Sequence, residues 1–511
     1  MSLTARLPRL VLRGRALPSW AAVCLIVAAG ASAPWAFAPT EAFWWLPVAL
    51  LPLLFALNHA SPRQAMVAAL LWAWPYFFVG VGWLSVALAR YGGLPWPAAW
   101  ASVALFAAYL AAWWALAAWL TVRWSPAGSA FRRAVFTAAV FTAAEWVRGW
   151  AFTGFPWLSP GLSQTPPSPL AGFYPLVGSL GVGFLLFALA GIIAFGMPWR
   201  RWLPLVALVA VLGGALRGVE WTRPLGAPLA VSLVQPAIPQ DQKWDGALLG
   251  RHLWRQAELI AQTRGTLVVL PETSLPLLDV QIPDEWHGLV AQALGEDRTV
   301  LYGAFTRDEA GVIHNSAVAQ GKAAPFAYHK RHLVPFGEYS PPLFGWFFRA
   351  LSIPMSNQGP GEPLQPFLRV GETAAAVDIC YESAFADLIA GDVRAGATWL
   401  LNLSNLAWYD RSAAQAQHAQ IGKVRALETA RPWVQATNTG VSGGFDADGR
   451  VLGVLPEWRE GIVDLLVQGR EGLTPFVWLG GELSVLVVVS MLGILARFRR
   501  GQRSPFSPPN Q

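Results

Sequence analysis

Arginine is the only basic residue in the first 217 positions, and only two acids accompany it. Thirteen Arg, no Lys, Glu41 and Glu145 are spread over seven long apolar runs. A bilayer-spanning helix needs about 20 mostly apolar residues, and charge inside one is costly. The runs fall at about 17–34, 42–57, 64–89, 96–122, 132–150, 173–196 and 201–217, and an eighth at about 475–496. The second is short enough to stand nearly upright or to lie partly in the interface. Trp44, Trp45, Trp83, Tyr91, Trp96, Trp124, Trp150, Trp157, Trp199, Trp202, Trp221 and Trp478 mark the ends of these runs, as rings do where membrane meets water. Eight membrane helices are expected, seven before a polar stretch and one after it.

Between the apolar flanks, residues 218–474 hold 20 basic and 27 acidic side chains. This stretch is therefore net acidic, although the whole chain carries +7. The basic excess lies in the membrane flanks, which gives no support to a nucleic-acid partner. Charged residues are 13% of the chain, against about 25% for an ordinary soluble domain. A wholly soluble or a disordered protein is excluded on that ground.

Arginine placement also orients the helices. With the N-terminus inside, the inner segments carry 14 arginines (Arg6, Arg9, Arg13, Arg15, Arg63, Arg123, Arg132, Arg133, Arg200, Arg201, Arg497, Arg499, Arg500, Arg503), and the short outer loops carry 2, Arg90 and Arg148. The positive-inside rule then places both termini in the cytoplasm and the polar region outside. The expected organisation is a membrane domain over 1–217, an extracytoplasmic domain over 218–474, an eighth helix over 475–497 and a cytoplasmic tail over 498–511. Ala31-Ser32-Ala33 also resembles a signal-cleavage site; a retained helix is favoured because another apolar run follows at once. Glu145 and Arg148 read either as an i,i+3 ion pair at the interface or as a contact to a lipid headgroup or the outer domain.

The polar region patterns as α/β. Strands are expected at 229–234, 266–270, 299–305, 312–319, 324–328, 374–379, 397–403, 433–438 and 441–445, with helices at 245–264, 284–294, 383–394 and 412–430. Several strands follow one another directly, which predicts mixed sheets with helices stacked outside.

Three segments end a buried strand in a reactive side chain: Leu267-Val-Val-Leu-Pro-Glu272-Thr, Tyr328-His-Lys330-Arg-His-Leu-Val-Pro-Phe-Gly-Glu338, and Ala376-Val-Asp-Ile-Cys380-Tyr381-Glu382-Ser. A thiol is the strongest of these nucleophiles once deprotonated. A carboxylate beside it can accept its proton, and a charged lysine can stabilise an oxyanion. Cys380 also precedes the expected helix 383–394, whose N-terminal N–H groups would favour a thiolate. Taken singly, each residue reads more simply as a buried cysteine, a solvated turn or a surface charge; it is their joint presence that points to chemistry. Cys24, in an apolar run, reads as filler, and the two cysteines offer neither a disulfide framework nor a metal site.

These segments resemble the carbon–nitrogen hydrolase (nitrilase) superfamily and, more narrowly, its membrane-bound apolipoprotein N-acyltransferase family. Gln240-Asp-Gln-Lys-Trp244, Asn402–Trp408 and Gly154-Phe-Pro-Trp-Leu extend the resemblance over nearly the whole chain. The resemblance implies an αββα four-layer sandwich beside the helices. It implies Glu272 as general base, Lys330 as oxyanion stabiliser and Cys380 as nucleophile, with Glu338 in support. Tyr381, Glu382 and Trp244 would line the site or a mobile arm over it, and Trp408 lies in a matching stretch. One departure is visible: Leu406 stands where the family often has Asp. The implied reaction moves an acyl chain from a phospholipid to the α-amine of a diacylated apolipoprotein in the bacterial inner membrane. The enzyme would act as a monomer, with no metal, nucleotide or other cofactor. The apolar stretch 341–355, with Trp346, Phe347 and Phe348, is expected to form an interfacial arm that guides acyl chains and excludes water. A membrane-tethered amidase and a transporter or scaffold with an inactive domain are the competing readings. The intact Glu–Lys–Cys set and the scarcity of intramembrane charge weigh against the second.

Overall fold

The computed structural model describes residues 11, 12, 15, 16, 19–126, 128–335, 337–339 and 357–498. The expected arm with Trp346 and Phe347 lies outside the described residues, as does most of the expected cytoplasmic tail.

Apolar runs become helices wherever the backbone has no better partner than itself. They are α1 (Ser19–Ser32), α2 (Trp45–His59), α3 (Pro62–Gly80), α4 (Trp96–Arg123), α5 (Ala130–Arg148), α6 (Tyr174–Ala194) and α7 (Trp199–Leu216). Ser61 and Gln64 close a capping box at the start of α3, with Pro62 just inside, a combination that satisfies helix-end N–H groups. Where α1 crosses α3, a Cβ on Gly30 would lie 2.0 Å from the Trp72 carbonyl oxygen. Only glycine permits that backbone approach.

The expected third run, 64–89, is not one straight helix. It breaks after Gly80 and resumes at Leu84–Tyr91, bent by 58°. Among the described residues, four helical stretches are long and apolar enough to cross a membrane: Ser19–Ala36, Trp96–Arg123, Pro169–Ala194 and Trp199–Leu216. The bent pair makes five if it counts as one span. The other expected helices form but differ in character. α2 has 15 residues, α5 carries four charged side chains, and the last helix of the chain has 17.

The polar region folds as two six-stranded sheets. The strands are β1 (Leu229–Gln235), β2 (Leu267–Val269), β3 (Thr299–Arg307), β4 (Ile313–Gly321), β5 (Phe326–His329), β6 (Leu368–Val370), β7 (Thr373–Ile379), β8 (Trp399–Ser404), β9 (Trp433–Thr437), β10 (Gly443–Phe445), β11 (Val451–Val454) and β12 (Gly461–Val467). One sheet runs β12-β1-β2-β3-β4-β5 and the other β11-β10-β9-β8-β7-β6. In each, three central strands are parallel and the flanking ones antiparallel. The core between the sheets joins Val231, Leu267 and Leu301 to Val377, Leu401 and Val434. Helices α8 (Gly246–Gln262) and α9 (Asp284–Leu294) cover the first sheet through Leu253, Ile260, Trp286 and Val290. Helices α10 (Ala386–Arg394) and α11 (Ala413–Thr429) cover the second. This is the four-layer αββα sandwich.

The outer layer of the second sheet is also the layer that meets the membrane helices. Helix α11 is buried along nearly its whole length and packs on α6. Its polar residues are consumed in that contact. Gln417 Oε1 accepts from Trp83 Nε1 at 3.1 Å and Trp157 Nε1 at 2.7 Å, and Gln420 Oε1 accepts from the Ala38 N–H at 3.0 Å. A single apolar core runs from α1–α6 through α10 and α11. The last helix, α12 (Glu482–Phe498), returns along α5 and α6.

Candidate active site

In sheets with parallel strands, ligands gather beyond the carboxyl ends. Glu272 follows β2, Cys380 follows β7 and Asn405 follows β8. Lys330 follows the antiparallel β5, and Asn315 stands on its neighbour β4. These ends converge.

Lys330 Nζ lies 2.6 Å from Glu338 Oε1 and 3.3 Å from Glu272 Oε1, with the lysine side chain 1% exposed. Asn315 Nδ2 donates to the same two oxygens, at 2.8 Å to Glu272 and 3.3 Å to Glu338. The second oxygen of each acid takes a backbone N–H: Asn405 to Glu272 at 2.8 Å, and Val334 to Glu338 at 2.7 Å. Burial opposes ionisation of Glu272, but Lys330, Asn315, the Asn405 N–H and Lys243 outweigh it and hold the carboxyl below its ordinary value. Burial works against the Lys330 cation as well, yet Glu272 and Glu338 drive its pKa well above the ordinary amine value.

Cys380 has a backbone φ of +58°, a region that costs a non-glycine residue about 1–3 kcal/mol. Its carbonyl oxygen is held by three side chains: His418 Nε2 at 2.9 Å, Asn402 Nδ2 at 3.1 Å and Ser383 Oγ at 3.2 Å. They over-determine the turn. The expected helix 383–394 does not begin at the cysteine. A 3₁₀ turn, Cys380–Ala384, intervenes and α10 starts at Ala386. A thiolate-favouring helix terminus is therefore absent there. Burial and then the Glu272 carboxylate push the thiol pKa well above its ordinary value, against Lys330. At rest the pair is a thiol beside an ionised carboxylate.

Glu382 is fully buried. Its carboxylate accepts from the Ile379, Arg331 and His332 N–H groups at 2.7, 2.7 and 3.0 Å and from the Tyr328 hydroxyl at 2.8 Å. It thus bolts the lysine segment to the cysteine turn. The Tyr381 ring packs against both Phe155 and Trp157, at centroid distances of 6.1 and 6.3 Å. Those rings belong to the Gly154-Phe-Pro-Trp-Leu loop of the helical domain. Gly154 itself has φ +79°, and a Cβ there would lie 2.0 Å from the Gly149 carbonyl oxygen.

Beneath that loop sit Glu145 and Arg148, which are not at an interface. The Arg148 side chain is 0% exposed and the Glu145 side chain 4%. Arg148 Nη2 pairs with Glu145 at 2.6 Å, and Nη1 donates to the carbonyl oxygens of Phe155 and, at 3.1 Å, Trp157. A headgroup contact is precluded by this burial; the pair seats the loop against Tyr381. Trp244 is half-buried beside Phe305, ring centroids 6.2 Å apart, and Trp408 packs edge-on against Tyr91 at 5.5 Å. Leu406, in the family's Asp position, is buried.

The structure adds Asn315, Asn405, His418 and Lys243 to the sequence-derived residues. Lys243 is 3% exposed, and its Nζ donates to the Glu272 carbonyl oxygen at 3.1 Å. Burial lowers its pKa to about 7, against Glu272 and Cys380. Among the described residues no group of three or more His, Cys, Asp or Glu is arranged to hold a metal.

Comparison with known proteins places this geometry. Residues 29–193 match the family model described as apolipoprotein N-acyltransferase N-terminal domain, and residues 230–472 match the carbon-nitrogen hydrolase model. The chain is 39% identical over 484 residues to an apolipoprotein N-acyltransferase from Ralstonia nicotianae, covering 91% of each chain. It is 38% identical over 465 residues to one from Nitrosomonas europaea, covering 89% of this chain and 93% of that one. Among solved structures, a mutant amidase from Nesterenkonia is 17% identical with a TM-score of 0.36, covering 48% of this chain and 92% of that chain. The chain is a membrane protein and an acyltransferase of the carbon–nitrogen hydrolase superfamily, and it belongs to the apolipoprotein N-acyltransferase family.

Proposed function

We propose that this enzyme moves an acyl chain from a phospholipid, through a thioester on Cys380, to the N-terminal α-amine of a diacylated apolipoprotein. The observation that carries the reading is the buried Glu272–Lys330–Glu338 cluster at the strand ends where Cys380 stands, with the neighbouring Tyr381 tied to a loop of the membrane bundle. In the first half-reaction Cys380 Sγ attacks the ester carbonyl carbon while its proton passes to Glu272. Lys330 Nζ faces the oxyanion. The carbon–oxygen bond then breaks, and the departing lysophospholipid oxygen takes the proton back from Glu272. In the second half-reaction the α-amine attacks the thioester carbon and gives a proton to Glu272. Sγ leaves, recovers that proton, and the amide departs. A free α-amine has a pKa of about 7.7–8.0, so part of it is already neutral near pH 7.

In this reading Glu338 keeps Lys330 in place, Tyr381 and Glu382 hold the cysteine turn, and Trp244, Trp408, Trp346 and Phe347 meet the substrates. Residues 218–474 face the periplasm from the bacterial inner membrane, both termini are cytoplasmic, and a single copy is sufficient. The orientation is supported by Arg132, which reaches the Ala496 and Arg497 carbonyl oxygens at the bundle end remote from the sandwich. Intact-mass measurement after mixing the purified enzyme with phospholipid tests the reaction. An acyl adduct that requires Cys380 and is discharged by a diacylated lipopeptide supports transfer. Discharge by water at an equal rate supports an amidase-like hydrolase instead.

A further inference from the structure

At the end of the helical bundle farthest from the sandwich, the C-terminal ends of α2, α4 and α6 meet the start of α5. They border a partly open cavity of about 190 Å³ whose lining includes Asn58, Thr121, Ser125, Arg133, Thr137 and Phe195. A single water needs roughly 10–15 Å³ on this measure, so the space admits a group of several heavy atoms. It belongs to no part of the acyl-transfer site.

The lining has a definite chemical character. Arg133 brings a guanidinium, and no carboxylate lies among the lining residues. Its hydrogen bond goes to the neutral Asn58 side-chain oxygen, and its face lies 4.7 Å from the centroid of the Phe195 ring. No acidic partner for Arg133 occurs among the described residues, although Lys330, Arg331 and Arg425 each have one. Thr121 also lines the cavity. Thr121 is 3% exposed, and its oxygen has no hydrogen-bond partner. A buried hydroxyl left unpaired is destabilising, a penalty that a ligand oxygen would remove. Guanidinium and hydroxyl together suit a compact, multiply accepting anion.

We propose that this cavity binds a phosphate group, carried by a lipid headgroup of the leaflet remote from the sandwich or free in solution. Arg133 supplies the charge, Thr121 a hydrogen bond, and Asn58 and Phe195 hold the guanidinium flat. The site is separate from the donor phospholipid's reaction centre, so its occupancy bears on anchoring and stability rather than on chemistry.

The test uses the full-length enzyme in neutral detergent. Native mass spectrometry would count bound phosphatidylglycerol against diacylglycerol, which carries no phosphate, with inorganic phosphate as competitor. The wild type should retain phosphatidylglycerol preferentially. Arg133→Gln should weaken that retention about tenfold or more, and Thr121→Val, which keeps the shape, by a smaller factor of about fivefold. Arg133→Lys should recover part of the loss. Displacement by inorganic phosphate identifies the anion alone as sufficient, and resistance to it identifies the lipid as the carrier; either supports phosphate recognition. Equal retention by the wild type, Arg133→Gln and Thr121→Val overturns the proposal. Thermal unfolding separates misfolding from lost binding, since Thr121→Val should melt within a few degrees of the wild type without added lipid. Acyl adduct formation at Cys380 should be unchanged in both variants, which keeps this test independent of the proposed transfer reaction.

Discussion

The Tyr381 hydroxyl donates a hydrogen bond to the Gly154 carbonyl oxygen at 3.2 Å, tying the residue after Cys380 to a loop between membrane helices. That loop is held from below by Arg148, so the cysteine turn is positioned jointly by the sandwich and the bundle.

Breaking the Glu145–Arg148 pair on one side leaves a buried charge alone, a loss of about 3–5 kcal/mol. Arg148→Met should lower Tm by many degrees and slow adduct formation at Cys380. The double variant Glu145→Gln, Arg148→Met should regain part of the Tm but less of the rate, because the Phe155 and Trp157 carbonyl oxygens still lack their donor. Thermal unfolding and single-turnover mass measurements separate the two.

In the proposed mechanism Glu272→Gln removes the proton acceptor while keeping the shape. General-base assistance is worth about 10²–10⁴ in rate, so adduct formation should fall by that range and Cys380→Ala should form none. Glu272 is held below its ordinary carboxylate value. It is therefore ionised above the depressed value and loses its charge only as pH falls through it. The acid limb of wild-type single-turnover kinetics should lie below pH 4.5, the ordinary Glu value. A limb near 6 would contradict the assignment.

Lys330 separates two carboxylates that Asn315 also bridges. Lys330→Met leaves Glu272 and Glu338 facing each other without the cation, and like charges at short range cannot both ionise readily. The acid limb should then move upward, in addition to a fall in rate. Lys330→Met, Glu338→Gln removes the repulsion and should move the limb back down. The pH profiles of the two variants check this.

Lys243 provides a stability signature. Its folded pKa of about 7 lies below the ordinary amine value of 10.5. A depressed lysine penalises the folded state while both forms are protonated, and the penalty lifts as pH rises from the folded value to the unfolded one. The wild type should therefore gain Tm relative to Lys243→Met between pH 7 and 10, and be the less stable of the two at pH 6. Parallel curves across that range would refute the depressed value.

Much of this architecture was legible because its signals are local. β1, β2, β7 and β8 are short, nearly uninterrupted apolar runs, and the reactive residues follow strand ends in contiguous motifs. β12 escaped notice because Asp464 interrupts it, yet it pairs with β1 along its full length, and Ser232 answers Asp464 across the ladder. β6 has three residues and β11 is half exposed, so neither carries a pattern. Asn315 had a signal: His314-Asn315-Ser316 places three polar residues in a buried strand. Lys243 had none beyond its segment, since only folding brings it under Glu272. Helix α11 matches the helix expected at 412–430, but nothing in its Gln and His residues signals that the bundle covers them.

The layer formed by α10 and α11 is covered by lipid-embedded helices where a water-soluble hydrolase would meet solvent. A recombinant piece containing only the sandwich would bare Ile389, Ile421 and the unsatisfied Gln417, Gln420 and Glu428 together. Such a piece should precipitate or cling to detergent rather than behave as a trimmed, crystallisable enzyme, and inhibitor screening needs the intact polypeptide in micelles or nanodiscs.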